Sequence, residues 1–124
     1  MSFLKDVHPA HVFHLKSGST IKNLYELANE LATMDEEVFR HHVNEDKNDF
    51  HNWIQHIIRD EHLAEVFSEI RDRRLMLAAV EKRIHDLENP PKPLHRLPFH
   101  ITAKEYLLGV IIGAVAMLMI TRLL

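Results

Sequence analysis

A chain of 124 residues with net charge −3 and no cysteine has room for one compact domain. It excludes disulfides, thiolate metal sites and cysteine nucleophiles. The charge is unevenly divided: up to Glu88 there are 11 Lys and Arg against 17 Asp and Glu, net −6, while from Asn89 four basic residues face Glu105 alone, net +3. An acidic head lacks the positive field of a nucleic-acid binder, so no nucleic-acid partner is expected.

Residues 1–18 read as a lead-in, with no apolar run of signal-peptide type. The alternation around Val12, Phe13, His14 and Leu15 fits a strand or an extended segment. His8, His11 and His14 recur at steps of three, and three imidazoles on one face are a candidate zinc or nickel site. Pro9 opposes a helix that starts before it. The plainer alternative is a partly exposed segment in a chain with 11 histidines.

Residues 19–88 form the expected domain. Ser17, Gly18, Ser19 and Thr20 read as a turn and helix cap. Ile21, Leu24, Leu27, Ala28, Leu31 and Met34 then mark an amphipathic first helix. A short second helix runs from Glu36 to about Val43, capped by Thr33 or Asp35; it buries Val38, Phe39 and either His42 or Val43. The polar stretch Asn44–Asp49 is a turn in which Asn48 or Asp49 caps a third helix that buries Phe50, Trp53, Ile54 and Ile57. A single long fourth helix is predicted from Glu61 to Leu87.

That last helix carries a heptad stripe. Leu63, Ile70, Leu77 and Ile84 lie seven apart, and Val66, Arg73, Val80 and Leu87 each follow by three. Only Arg73 interrupts this coiled-coil pattern. Its second half, with Leu77, Val80, Ile84 and Leu87, either packs inside the domain or pairs with a partner or second copy.

Residues 89–101 hold four prolines within Asn89–Pro98 and read as an extended spacer, spanning roughly 30 Å at about 3.1 Å per residue. Residues 102–124 read as an anchor. Thr102 and Glu105 have capping-box spacing, and Tyr106–Ile120 contains no charged or strongly polar side chain. A helix over Ala103–Leu124 would reach roughly 33 Å, enough to cross a hydrocarbon core. Lys92, Arg96 and Lys104 precede it and Arg122 follows, so the positive-inside rule places the head in the cytoplasm on a single-pass, tail-anchored chain in the cell membrane. Gly109 and Gly113 form a GxxxG pair suited to helix association in lipid.

Chemistry is sparse in this sequence. There is no nucleotide-binding glycine loop, no HExxH and no GxSxG. His41 and His42 beside Asp46 and Asp49, or His51 and His56 near Glu45 or Asp60, are the remaining acid–imidazole clusters, with helix capping and exposed polarity as the alternative reading. No catalysis and no cofactor are expected.

The segment FRHHVNEDKNDFHNWIQHIIRDEHLA, preceded by SGSTIKNLYELANELATM, resembles a small helical domain of unknown function that recurs in archaeal and some bacterial proteins. The matching residues are Asn23, Leu24, Glu26, Leu27, Leu31, Phe39, His42, Val43, Asn44, Asn48, Asp49, Phe50, Trp53, Ile54, Asp60, Leu63 and Ala64. The resemblance implies a helical fold and carries no mechanism. Its polar members, His42, Asn44, Asn48 and Asp49, form either a hydrogen-bond knot at the turn or a recognition surface.

The expectation is therefore an all-α protein: a small four-helix bundle with a long last helix, a proline-rich spacer and one transmembrane helix. Its function is expected to be that of an interaction or scaffolding module on membrane lipid, joined to a protein partner or to itself. A histidine-based metal-binding protein and an accessory subunit of a membrane complex are the alternatives.

Overall fold

The computed structural model describes residues 2–91, and they form a predominantly helical unit. The expected anchor, the spacer beyond Pro91, Gly109 and Gly113 lie outside the described residues. Among the described residues no helix is long and apolar enough to cross a membrane.

The opening segment is part of the head. A 3-10 turn, Pro9–His11, leads into strand β1, Phe13–His14, which pairs antiparallel with β2, Thr20–Ile21. Phe13 faces Ile21 across the pair, and the connecting loop turns at Gly18, whose φ of 99° suits a residue without a Cβ. Phe13, Leu15 and Ile21 all enter the core. The Trp53 indole then fixes this segment by donating to the His11 carbonyl at 2.8 Å.

Five α-helices follow: α1 Leu24–Thr33, α2 Glu36–His42, α3 Asp49–Trp53, α4 Glu61–Ser68 and α5 Arg73–Glu88. Helix α1 starts three residues later than the expected first apolar residue, Ile21, which lies in β2. Asn23, rather than the Ser/Thr run, caps α1 by accepting from Glu26 N at 2.8 Å. The α1 stripe is as expected, with Leu24, Leu27 and Leu31 fully buried. Asp35 precedes α2 without a side-chain cap bond, and both His42 and Val43 are buried there. Asn48 caps α3 through His51 N at 3.0 Å.

Helix α3 passes directly into a π-helical turn, Ile54–Ile58. The wider turn moves the inward position one residue along, so Ile58 is buried and Ile57 only partly so.

The expected long helix from Glu61 to Leu87 is two helices. Glu69 N and Ile70 N bond three residues back, tightening the end of α4. Asn48 Nδ2 then takes the Phe67 carbonyl at 3.0 Å, an acceptor that a continuing helix would use. Asp72 starts α5 afresh by accepting from Leu75 N at 3.0 Å. Arg73, the apparent flaw in the heptads, sits at that start and reaches back to α1 and α2. Its guanidinium donates to the Leu31 carbonyl at 2.6 Å and to Glu36 at 2.9 Å. Leu31 lies in the last turn of α1, where carbonyls lack helical partners.

Helix α5 packs chiefly along α1, and α4 packs against α3 and α5. Asp60 and Arg83 join these layers. The Asp60 side chain, 1% exposed, accepts from Leu63 N at 3.1 Å and from the Arg83 guanidinium at 2.7 and 3.2 Å. Truncating either partner leaves the other charge poorly compensated, at a cost of about 3–5 kcal/mol. Asp60→Ala and Arg83→Met are expected to lose stability in chemical denaturation. The double variant should lose less than the sum of the two single losses.

Candidate functional site

Three features of the head bear on function: the polar turn between α2 and α3, the distributed histidines, and a cleft beside the π turn.

In the polar turn, His42 Nδ1 lies 3.0 Å from Asp49 Oδ2, a pairing that in an open cleft would suit a general base. The other ring nitrogen is occupied. His42 Nε2 accepts from Lys16 N at 3.0 Å, which makes Nδ1 the proton-bearing nitrogen and Asp49 its acceptor. With the ring buried against Phe13 and Phe50, neither nitrogen is left to take a substrate proton or bind a metal. Lys47 Nζ adds a second contact to Asp49 at 3.0 Å.

The two asparagines also bond to the backbone. Asn44 Oδ1 accepts from Asp46 N and Lys47 N, and its amide donates to the Arg40 carbonyl at 3.0 Å. Asn48 holds His51 N with its oxygen and the Phe67 carbonyl with its nitrogen. All four polar residues of the turn thus bind this chain's own backbone or one another.

The remaining candidate histidines do not converge on a metal site among the described residues. His8 Nδ1 accepts from Ala10 N at 3.0 Å, and the His8 and His11 rings lie 5.8 Å apart. His14 is exposed on β1. His41 is exposed with its ring edge-on to His42, centroids 4.8 Å apart. Desolvation, followed by the charges of Lys47, His42 and Lys16, pushes the His41 imidazole below its ordinary value. Among the described residues, no three His, Asp or Glu side chains are grouped so as to hold a metal ion.

The heptad residues lie against this chain's own core. Val80 and Ile84 are buried, and Leu77 and Leu87 are partly buried against the same cluster. Of the two alternatives for the second half of the seam, packing inside the domain is the one seen here, with α1 alongside α5. The large exposed hydrophobics among the described residues are Tyr25 and Leu75, the latter 59% exposed. Tyr25 donates to Glu88 at 2.8 Å, and that bond to a carboxylate raises its phenol above the ordinary value.

Sequence periodicity gives no hint of the third feature. A cleft of about 480 Å³ opens between the N-terminal segment and the π turn, with Lys5, His8, His11, His56, Ile57 and Arg59 on its walls. A second cleft of about 550 Å³ shares His56 and Arg59 with it. Arg59 stands between them in the left-handed region, φ 65° and ψ 28°, where a Cβ costs roughly 1–2 kcal/mol. Its backbone N–H closes the π turn onto the Ile54 carbonyl at 2.7 Å.

No protein-family model, no curated protein and no solved structure matches this chain.

The polar turn makes a direct prediction. His42→Ala removes the acceptor of Lys16 N and the donor to Asp49 from a packed site. It is expected to cost about 2–4 kcal/mol in thermal or urea unfolding. His41→Ala, on the exposed neighbour, should leave the unfolding midpoint nearly unchanged.

Proposed function

We propose that this protein is a membrane-tethered interaction module. Its helical head is joined through the proline-rich spacer to a hydrophobic segment at 103–124. The observation that carries the reading is the run Tyr106–Ile120, free of charged and strongly polar side chains. The bias of Lys92, Arg96 and Lys104 over Arg122 favours the head on the cytoplasmic side of a cell membrane.

Two features of the head support a non-catalytic role. Its best acid–imidazole pair, His42 and Asp49, is fully engaged in holding Lys16 N and the polar turn. Val80 and Ile84 are buried in the head's own core, so association with a partner or second copy is assigned to Gly109 and Gly113 rather than to the heptad seam.

Alkaline carbonate extraction of expressing cells tests the tether. The parent chain should stay with the membrane pellet. Ile112→Lys combined with Val115→Lys should shift it to the supernatant, because each central charge costs about 2.5–3.5 kcal/mol on insertion. Native mass measurement in mild detergent tests association. An assembly larger than one chain is expected, reduced by Gly109→Ile with Gly113→Ile; a solitary monomer would remove the interaction reading.

A further inference from the structure

The cleft beside the π turn gathers two cations and three imidazoles on its walls. Most Lys and Arg side chains here have a carboxylate within ion-pair distance, as in Arg83 with Asp60 and Lys22 with Glu26. Lys5 and Arg59, both on the cleft wall, have none among the described residues, as is also true of Arg71 and Arg74 away from it. The cleft's own carboxylate, Asp6, is engaged by Asn23 Nδ2 at 2.7 Å. His8, His11 and His56 add three imidazoles to the same space.

Backbone strain points to the same place. Arg59 is the non-glycine residue with positive φ among the described residues, at a position a glycine would fill without strain. Strained backbone of this kind is concentrated at ligand-binding positions, where the surrounding structure holds it in place. The left-handed turn sets Arg59 on the wall shared by both clefts.

We propose that this cleft binds a phosphate group. A guanidinium grips phosphate oxygens through paired N–H donors, while Lys5 contributes a compact point charge. The imidazoles of His8, His11 and His56 supply further donors, more in all than a carboxylate's two oxygens can use. A terminal phosphate offers three acceptor oxygens and up to two negative charges. Ile57, on the same wall, gives the organic remainder an apolar surface. The phosphate belongs either to a lipid headgroup or to a soluble phosphoester. The inference stands whether or not residues 103–124 enter a membrane.

The test uses the full chain in neutral detergent micelles with isotopically labelled histidine rings, at fixed pH and ionic strength. One arm adds inorganic phosphate; the other compares micelles doped with phosphatidic acid or with phosphatidylcholine. Saturable shifts of His8, His11 and His56 are expected. Saturation by inorganic phosphate assigns a soluble phosphoester, whereas a response confined to phosphatidic acid assigns a headgroup. Arg59→Gly removes the guanidinium and relieves the left-handed strain. This variant should remain as stable as the parent and bind at least tenfold more weakly. Lys16→Gln, which removes a cation outside the cleft, should bind like the parent. The proposal fails if neither probe shifts the rings, if chloride reproduces the shifts, or if Arg59→Gly binds as the parent does.

Discussion

The head depends on one buried ion pair. Asp60 starts α4 and holds α5, and a single carboxylate does both. Burying it would be prohibitive without compensation, since an isolated carboxylate out of water carries a large desolvation cost. The Leu63 N–H and the Arg83 guanidinium supply that compensation. Arg83 also lies over the Phe3 ring, 5.8 Å from its centroid, which ties the N-terminal segment to the same point. The pair thus ties α5 to the start of α4 at one defined point.

The same logic recurs where helices end. A helix leaves its last carbonyls without internal donors, and short helices expose many such groups for their length. Here distant side chains donate to helix carbonyls: Arg73 to Leu31 at the end of α1, and Asn48 to Phe67 and His51 to Ala64 on α4, the last at 2.8 Å. No buried side-chain polar atom among the described residues lacks a hydrogen-bond partner. Polar contacts near helix ends thus add to the apolar stripes along the helix faces.

Much of the helical order was legible because it is local. The steps from Leu24 to Leu31 identify α1, and Asn48 announces α3. The long helix misled because α4 and α5 both face one core, so apolar residues keep a seven-residue rhythm across the break at 69–72. One contact at that break comes from Asn48, 19 positions before the carbonyl it binds, and no local window contains both. Asp72 was a nearer signal, a capping residue immediately before Arg73. The cleft was hidden for a different reason: it joins Lys5 and His8 to His56 and Arg59 across the fold, and its left-handed residue is an arginine where sequence rules look for glycine.

The chain contains a single tryptophan, and its indole N–H is bonded to the His11 carbonyl. The head therefore carries its own optical gauge. Intrinsic fluorescence from Trp53 reads whether the opening segment is seated on the core, because release would replace a protein carbonyl with water beside the ring. A signal that holds until the helices unfold would mean that the first strands leave with them. An early red shift would mean that they peel away first, taking one wall of the cleft with them.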